Sequence, residues 1–452
     1  MKFRVEHDVL ADAVAWVARA LPSRPVVPVL SGLRLDAAEG QDAVGGLTLS
    51  CFDYELSATT RLPADIAEPG SALVPGRLLA EITRSLPGQP AEFSSDGDEV
   101  TLSCGSAEFA LVSLPTAEYP ELPPAPPLAG TVDGGDLAAA LAQVLPATSR
   151  DDTLPMLTGV CLDIRGDVVT LAATDRYRLA VRDLQWAPAD PGIRAIALVP
   201  GRTLADAARV MVPGVPVSVS FAAPEEPGTA RRGDARPVEG MISFDSGGRR
   251  LTGRLIAGEF IRYESRFPAE YGCRAEMPAA SLIEAVRRVS LVADRASPVR
   301  LTFGSGTVAL EAQTEGRARA IERVTASFHG DEPTIAFNPH YLLDGITAAA
   351  GGPVPARHPA SAADAAGGGG TAAGDGDGRP AQDGSGGSAT IRLEFTSPAR
   401  AALITLAGDD GEAGDGADED PGDGDGADDG AAKGPRPAFR YLVVPLRSPA
   451  RG

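Results

Sequence analysis

One three-part pattern occurs three times along the chain, and it constrains the fold more than any other feature of the sequence. Each copy begins with an amphipathic helix, a Pro-containing turn and a strand, and continues with two alternating strands. It ends with a strand, a break and a second helix. The copies span residues 9–87, 136–213 and 281–350. Helical and period-2 apolar spacing in each copy predicts an α+β fold of three similar domains, each with two helices packed on antiparallel sheets.

Length and composition support the same division of the chain. A chain of 452 residues suits about three domains of roughly 100–200 residues each. Pro-rich breaks predict domains at residues 1–128, 129–271 and 272–452. Two low-complexity insertions, at about residues 351–390 and 408–437, interrupt the third copy. They hold too little apolar surface to form a core. We therefore expect them to be long solvated loops inserted into an otherwise complete domain.

The charge of the chain is uneven. The formal net charge is −20, and residues 408–437 hold eleven Asp or Glu against Lys433 and Arg436, which is −9. The sum argues against a generic nucleic-acid binder, but the location of the charge matters more than the sum. The start is charged and no apolar run is long enough to span a membrane, which predicts a cytoplasmic protein with no membrane association.

No enzyme signature or cofactor motif stands out. The four cysteines lie far apart without metal-ligand spacing, which favours single buried thiols in a reducing compartment. The four histidines are scattered, and G-x-S-x-G and H-E-x-x-H are both missing from the sequence. We therefore predict a non-catalytic protein without a metal or cofactor.

The second copy carries an unusual strand pair, LAATDRYRLAVR at residues 171–182. Its alternation predicts a half-buried strand with one polar face, bearing Thr174, Arg176 and Arg178. We align its Tyr177-Arg178-Leu179 with Tyr54-Glu55-Leu56 in the first copy and Gly316-Arg317-Ala318 in the third. Unequal side chains on equivalent scaffolds indicate that the middle copy is specialised.

Several segments, in order, make the chain resemble the beta subunit of bacterial DNA polymerase III, the sliding clamp family. The segments are MKF-x-V at the start, SRPVVPVLSG, SLPTAEYPELP, RDDTLPMLTGV, TDRYRLAV, RFPAEY, FNPHYLLDGI and the closing YLVVPLR. The resemblance covers the chain except the two insertions, a short polar loop and the last five residues.

The resemblance implies a head-to-tail homodimer that closes into a ring around double-stranded DNA. Simple geometry agrees that two chains are needed. Six domains of about 120 residues leave a hole roughly 30 Å wide, whereas three leave only about 10 Å. A B-form duplex is roughly 20 Å across. Matched positions place the dimer interface at Phe109 and Leu111 on one edge and Leu291 on the other.

DNA contact in such a ring needs attraction to phosphate without base readout, which arginines provide. Arginines lie on or beside the repeated helices at positions 19, 24, 77, 84, 150, 202, 209, 287, 288 and 295. Arg24 and Arg77 match family positions that touch DNA. The family's other DNA-contacting turn has Asp151, Pro155 and Met156 here, and neighbouring Arg150 is a candidate replacement.

The resemblance also implies a pocket that binds short linear motifs of the polymerase III core, the clamp loader, other polymerases and repair proteins. The matching residues are Leu154, Leu157, Thr174, Tyr177, Arg178, Leu179, Pro268, Asn338, Tyr341, Val443, Val444, Pro445, Leu446 and Arg447. An apolar slot with a few polar groups suits Leu or Phe anchors of an extended peptide. We expect Arg178 to hold peptide carbonyls or a carboxylate.

Two departures from the family leave an alternative open. Arg447 is followed by five further residues, 448–452, and the acidic insertion precedes the pocket strand directly. The chain is therefore either a processivity clamp or a duplicated clamp-like protein that acts as a peptide-binding adaptor or a specialised second clamp.

Overall fold

The computed structural model divides the described chain into two compact units. It describes residues 1–38, 46–209, 211–222, 236–237, 240–293, 297–314, 316–330, 333–351, 389–408 and 437–446. The first unit comprises Met1–Arg176 and Val181–Tyr263, and the second comprises Tyr177–Ala180 with the chain from Glu264 onward. The first two sequence copies therefore lie in the first unit except for residues 177–180 of the second copy, which belong to the same unit as the third.

Each copy contributes two α-helices to the described residues. The helices are α1 (His7–Arg19), α2 (Gly76–Ser85), α3 (Gly134–Val144), α4 (Gly201–Ala208), α5 (Ala279–Ser290) and α6 (Pro339–Ala349). Short 3-10 turns cover Pro28–Ser31, Thr116–Glu118, Leu145–Ala147, Pro155–Leu157 and Glu264–Arg266. Within the units α1 packs on α2, α3 on α4 and α5 on α6.

Short strands make up the rest of the fold. Those of the first copy are β1 (Lys2–Val5), β2 (Gly32–Ala38), β3 (Gly46–Phe52), β4 (Leu56–Pro63), β5 (Asp65–Glu68), β6 (Gly70–Pro75), β7 (Ala91–Asp96), β8 (Glu99–Cys104) and β9 (Ala107–Val112). The second copy has β10 (Leu128–Asp133), β11 (Gly159–Arg165), β12 (Val168–Thr174), β13 (Arg178–Gln185), β14 (Ala187–Pro188), β15 (Arg194–Pro200), β16 (Pro216–Phe221), β17 (Arg236–Pro237), β18 (Met241–Ser246) and β19 (Arg249–Arg254). The third has β20 (Cys273–Pro278), β21 (Val299–Gly304), β22 (Thr307–Thr314), β23 (Ala318–Thr325), β24 (Ser327–His329), β25 (Thr334–Phe337), β26 (Thr390–Phe395), β27 (Ala402–Leu406) and β28 (Phe439–Val443).

Antiparallel pairing dominates the sheets, as predicted. The first unit holds a sheet in the order β5-β1-β7-β8-β9, a second in the order β14-β10-β16-β18-β19-β4-β3-β2-β6, and the strands β17-β15-β11-β12. The second unit holds β28-β27-β26-β20-β24 and β23-β22-β21-β25. Among the described strands β17 runs parallel to its neighbour β15. Because β4 pairs with β19, the first two copies share one continuous sheet.

The helices form where apolar residues recur every three or four positions. In α2 the buried residues Leu79, Ala80, Ile82 and Thr83 alternate with exposed charged residues. One face of the helix therefore packs against the protein interior, and the other face is exposed to solvent. Helix α3 begins at Asp133, whose carboxylate accepts the backbone N–H of Gly135 and of Asp136. Helix α6 begins in the same way at Asn338.

The turn inside each strand pair corrects the sequence alignment of the copies. Tyr54, Arg176 and Gly316 all have positive φ, at 73°, 78° and 69°, and each is the middle residue of a three-residue turn. These three residues are therefore equivalent, and the alignment made from sequence was wrong by one residue. Arg178 corresponds to Leu56 and Ala318, the first residues of the second strands.

Candidate functional site

Arg178 is a buried charge in the second unit, with 4% of its surface exposed. Its Nη1 donates to Oδ2 of Asp344 on α6 at 2.5 Å and lies 3.3 Å from the hydroxyl of Tyr441 on β28. The guanidinium carbon also lies 4.5 Å from the centroid of the Tyr341 ring. The polar face predicted for this half-buried strand pair is covered in the structure at Thr174 and Arg178, which are both buried. Arg178 is held by the protein itself rather than presented to solvent.

Tyr177 forms the exposed part of the same cluster. Half of its surface is exposed, and its ring stacks on Tyr341 with centroids 6.1 Å apart. Its carbonyl accepts the N–H of Val444 at 2.8 Å, which ties the C-terminal segment to residues 177–180. The Tyr341 ring thus lies between a tyrosine face and a guanidinium, a rigid aromatic wall.

The C-terminal segment supplies the apolar residues around that wall. Val444 and Leu446 are exposed, while Val443 and Pro445 are buried. The N–H of Leu446 donates to the carbonyl of Ala336 at 2.8 Å, which fixes the segment beside the start of α6. Pro268 is half-buried and follows Phe267, whose ring lies 5.2 Å from the guanidinium carbon of Arg440. Arg447 lies outside the described residues.

Asn338 has a structural role that the sequence interpretation did not assign. Its side-chain oxygen accepts the backbone N–H of His340 at 2.9 Å and of Tyr341 at 3.4 Å. It is the N-cap of α6, the helix that carries both Tyr341 and Asp344. Asn338 therefore positions the aromatic wall through the helix.

Most of the remaining predicted pocket residues belong to the first unit. Leu157 is buried and Leu154 is half-buried around the 3-10 turn Pro155–Leu157. Thr174 is buried at the end of β12, and its hydroxyl accepts the N–H of Arg176 at 3.2 Å. Leu179 belongs to the second unit and is 5% exposed.

Asp344 and Tyr441 are the functional candidates that sequence reasoning missed. One signal was available, because Asp344 stands in an otherwise apolar helix face, YLLDGI. A carboxylate in such a position is rarely buried without a partner. The sequence could not say which cation is that partner, since Arg178 lies 166 residues away.

The predicted DNA-contact residues of the first copy are close together in the structure. Arg77 donates from Nη2 to the carbonyl of Leu21 at 3.4 Å and to that of Pro22 at 3.2 Å. This places the first turn of α2 against the loop that carries exposed Arg24. Both arginines are exposed, as phosphate contact requires.

The second predicted DNA-contact turn is less favourable to phosphate. Arg150, Asp151 and Pro155 are exposed and Met156 is half-buried. The Thr153 hydroxyl donates to the Asp151 carboxylate at 2.6 Å and, as the largest cause, lowers the pKa of that carboxyl. Asp151 therefore stays ionised near neutral pH and repels phosphate, leaving Arg150 as the favourable group of this turn.

The other helix arginines differ in how they are held. Arg19, Arg84 and Arg202 are exposed, whereas ion pairs engage Arg209 with Asp206, Arg287 with Glu284, and Arg288 with Glu322 and Glu284. Arg295 lies outside the described residues. The positive layer on the helices is therefore thinner than the arginine positions alone indicate.

The predicted interface residues have unequal exposure. Leu291, just after α5, is 84% exposed, and Phe109 on β9 is half-buried. Leu111 is 2% exposed and points into the core of its own unit, while its neighbour Val112 is 70% exposed. Strand alternation explains the difference, because successive residues face opposite sides of the sheet. On β9, Val112 is the apolar side chain left open to a partner.

No helix within the described residues is long and apolar enough to cross a membrane. The described residues likewise contain no cluster of His, Cys, Asp or Glu that could hold a metal ion. The cysteines are free, with Cys51, Cys104 and Cys161 buried and Cys273 partly exposed. Burial raises the pKa of Cys51 and of Cys161 to about 12, so both thiols stay protonated at neutral pH.

Three family models match consecutive parts of the chain. They describe the N-terminal, central and C-terminal domains of the DNA polymerase III beta subunit and match residues 1–123, 131–261 and 264–355. The beta sliding clamp of Streptomyces coelicolor is 50% identical over 348 residues, covering 77% of this chain and 88% of that protein. A beta sliding clamp homolog of Streptomyces muensis, GriR, is 42% identical with the same coverage.

Solved structures agree on the fold. The sliding clamp of Bacillus subtilis superposes with a TM-score of 0.76 at 21% identity and covers 99% of both chains. A sliding clamp of Pseudomonas aeruginosa bound to griselimycin gives a TM-score of 0.74 at 22% identity, covering 99% of this chain and 100% of that one. Repeated two-helix domains on antiparallel sheets define a clamp fold. The chain belongs to the DNA polymerase III beta subunit family, the bacterial sliding clamps.

Proposed function

We propose that this chain is a DNA sliding clamp, a non-catalytic processivity subunit that encircles double-stranded DNA as a homodimer in the cytoplasm. The 50% identity to the clamp of Streptomyces coelicolor over most of both chains carries the proposal. The three-domain division at residues 1–128, 129–271 and 272–452 is part of it, because two chains then supply the six domains that a duplex-sized hole needs.

The charge of the helices suits a ring that slides. Exposed arginines on α1, α2 and α4 attract phosphate without reading bases, while acidic residues on the same helices keep that attraction weak. Arg24, Arg77 and Arg150 are the residues we assign to phosphate contact, with Pro155 and Met156 beside them and Asp151 as an unfavourable neighbour. Retention of the clamp on DNA then depends more on closure of the ring than on the affinity of the arginines for phosphate.

A template without ends tests encirclement. Loaded clamp should stay on circular DNA and run off linear DNA, and its direct affinity for DNA should fall steeply with salt. Replacing Arg24 and Arg77 together with Ala should reduce loading while leaving the dimer intact. Equal retention on the two templates would contradict encirclement and favour the adaptor alternative, as would a monomer in light scattering at micromolar concentration.

The cluster around Tyr177 and Tyr341 is the proposed binding site for short peptides of the polymerase III core, the clamp loader and other polymerases and repair proteins. The exposed ring of Tyr177 and the side chains of Val444 and Leu446 offer apolar contacts to an extended segment. Arg178 has a different role from the one expected from sequence. Its contact with Asp344 makes it a support for Tyr341 instead of a first contact for peptide carboxylates.

Two substitutions test the peptide site. Leu179→Asp places an unpaired charge in an apolar site, and Tyr177→Ala removes an exposed ring without burying anything polar. Each should weaken a fluorescent clamp-binding peptide at least about tenfold while the dimer survives. Tyr54→Ala, which removes a half-exposed tyrosine from the equivalent turn of the first copy, is the matched control. Unchanged affinity in Tyr177→Ala would show that the peptide binds elsewhere.

A further inference from the structure

An open groove of about 400 Å³, the Trp186 groove, lies on the middle copy within the first unit. Its walls come from the end of β10, the junction of β13 with β14 and the turn that leads into β16. The lining residues include Thr131, Asp133, Gln185, Trp186, Gly214 and Pro216. Binding clefts of proteins typically measure about 300 to 1,000 Å³. None of these residues is assigned above to DNA, to the dimer or to the peptide site.

The groove is open at a position where the first copy has a long charged side chain. Thr131 stands two residues before the residue that caps α3, just as Arg4 stands two residues before the residue that caps α1. Arg4 lies opposite Asp65 on one neighbouring strand and opposite Glu92 on the other, so its guanidinium has carboxylates on both sides. The residues opposite Thr131 are small and uncharged: Ala187 and Ser218.

The third copy also fills this position with charge. Glu276 stands two residues before the residue that caps α5, and its carboxylate accepts Nε of Arg392 on the neighbouring strand at 3.0 Å. The same point of the sheet therefore carries unlike charges in the first and third copies and none in the second. Short side chains in the middle copy leave open the space that a long charged side chain takes in the others.

Asp133 gives the groove a negative charge. Its Oδ1 accepts the N–H groups of Asp136 and Gly135, and its Oδ2 accepts that of Gly214 at 2.8 Å. These hydrogen bonds, that of Asp136 most of all, lower the pKa of Asp133, so the carboxylate is ionised at neutral pH. The three N–H groups are engaged and do not attract an anion, whereas Oδ2 has room for a further donor. The lining residues include no Lys or Arg.

Trp186 adds an aromatic ring to the same groove, which it lines with the 7% of its surface that is exposed. Its indole N–H donates to the carbonyl of Gly166 at 2.8 Å, and Gly130 makes room for the ring, since a Cβ there would lie 2.5 Å from it. Ala64 and Ala326 stand at the corresponding positions of the other copies. The groove therefore combines a carboxylate with an aromatic ring, and a guanidinium suits both better than an ammonium does.

We propose that the Trp186 groove is a docking site for an arginine side chain on an extended segment of a partner protein. The arginine donates to Oδ2 of Asp133, contacts Trp186 and takes the place that Arg4 has in the first copy. Arg4 shows that a side chain of this length and charge fits beside the equivalent strand. A carboxylate in the groove meets the negative charge of Asp133 and is rejected.

Three variants test the site at the residues that define it. Thr131→Arg fills the groove from within, as Arg4 does in the first copy. Asp133→Asn removes the charge and keeps the helix cap, since Asn caps about as well as Asp. Leu128→Arg is the matched control for Thr131→Arg, because it adds the same charge to the same strand at a side chain that is 54% exposed and does not line the groove.

Fluorotryptophan labelling gives the readout, because the chain has two tryptophans, Trp16 and Trp186. Trp16→Phe assigns the two fluorine signals. The probe is a peptide of about seven residues with one central arginine among Gly, Ser and Thr, compared with the same peptide carrying neutral citrulline in place of the arginine. The arginine peptide should shift the Trp186 signal saturably and leave the Trp16 signal unchanged.

The variants should then separate the cause of binding. Affinity for the arginine peptide should be at least about tenfold lower in Thr131→Arg and in Asp133→Asn, and it should fall as salt rises. Affinity in Leu128→Arg should match that of the wild type. Thermal denaturation shows whether each variant is folded, and Asp133→Asn decides the test if Thr131→Arg is not.

Four results overturn the proposal. One is a Trp186 signal that does not move, and another is a citrulline peptide that binds as tightly as the arginine peptide. A third is a Leu128→Arg variant that weakens as much as Thr131→Arg, since net charge would then be the cause. The fourth is spermidine that binds as tightly as the arginine peptide, which would assign the groove to a free polyamine instead of a protein segment.

Discussion

Arg178 places a cation at a position of the repeated scaffold that carries no charge in the other two copies. Its equivalents Leu56 and Ala318 are apolar or small, so a cation at this position has to be neutralised when the strand is buried. Asp344 and the hydroxyl of Tyr441 do so, and Tyr441 also donates to the carbonyl of Tyr341 at 2.9 Å. The network therefore joins the middle copy's strand to α6 and fixes the ring on which a peptide would rest.

Asp344→Asn tests this support. Removing the charge leaves Arg178 buried without its ion pair, which should lower the free energy of unfolding by about 3 kcal/mol. Affinity for a clamp-binding peptide should fall as well, because Tyr341 loses its fixed position. Thermal denaturation and peptide titration give the two measurements, with Glu259→Gln, an exposed carboxyl, as control. A variant as stable as the wild type would show that Arg178 does not depend on Asp344.

The exposed residues of this site and Arg178 itself could be predicted from the sequence, whereas the buried partners of Arg178, Asp344 and Tyr441, could not. Family resemblance at TDRYRLAV and FNPHYLLDGI picked out Tyr177 and Tyr341, which the structure brings into ring contact. The polar face expected of residues 171–182 failed because alternation reports side-chain direction and not what covers a face. Arg178 is polar in sequence but covered in the fold by groups more than 160 residues away.

At the level of secondary-structure elements, N-capping residues predict well where the helices begin. The exposed side chains of the edge strands are predicted less well. Asp133 and Asn338 precede their helices as capping residues should, and both accept backbone N–H groups in the first turn. On β9 the resemblance points to Leu111, which is 2% exposed, while strand alternation places Val112, 70% exposed, on the opposite face. An interface position carried over from a family thus needs the local register to be checked.

The cap of α3 should make a small pH-dependent contribution to stability. The backbone N–H groups of Asp136, Gly214 and Gly135 favour the charged carboxylate and lower the pKa of Asp133 from its ordinary 3.8. A pKa lowered on folding gives stability that is present above the ordinary value and is lost as pH falls through the folded value. Asn caps about as well as ionised Asp and does not titrate, so wild type and Asp133→Asn should be about equally stable near neutral pH, and the wild type should become the less stable of the two as pH falls from about 5 to about 2. Urea unfolding at several pH values measures it, and a constant difference would contradict the cap's titration.

At the scale of the whole molecule, the repeat predicted the order of helices and strand pairs in all three copies. It did not predict how the chain is partitioned, since β4 pairs with β19 and residues 177–180 belong with the third copy. Strand pairing between copies depends on edges that meet only after each copy has folded. A repeat identified within the sequence therefore does not predict which strands of different copies pair.

The acidic insertion offers a test at this scale. The strands that flank it, β27 and β28, pair antiparallel with Ile404 opposite Tyr441, so their facing ends can be joined by a short Asn-Gly turn. Replacing residues 409–436 in this way should keep the fold and raise the free energy of unfolding by about 1 to 2 kcal/mol, because a shorter loop costs less entropy to close. Affinity for an acidic partner peptide should rise, and more so at low salt. Loss of the dimer or of thermal stability in this variant would assign the insertion a structural role.

The hydrogen bond from Val444 to Tyr177 has a consequence for how the protein is made. Arg178 and Tyr441 are 263 residues apart, and a ribosome adding about 5 to 20 residues per second needs roughly 10 to 50 s to cover that interval. During this time the strand that begins at Arg178 has emerged while its partners on α6 and β28 are still missing. The second unit is therefore completed only when β28 has emerged. We expect the unit to fold after that point, with the cation of Arg178 solvated until then.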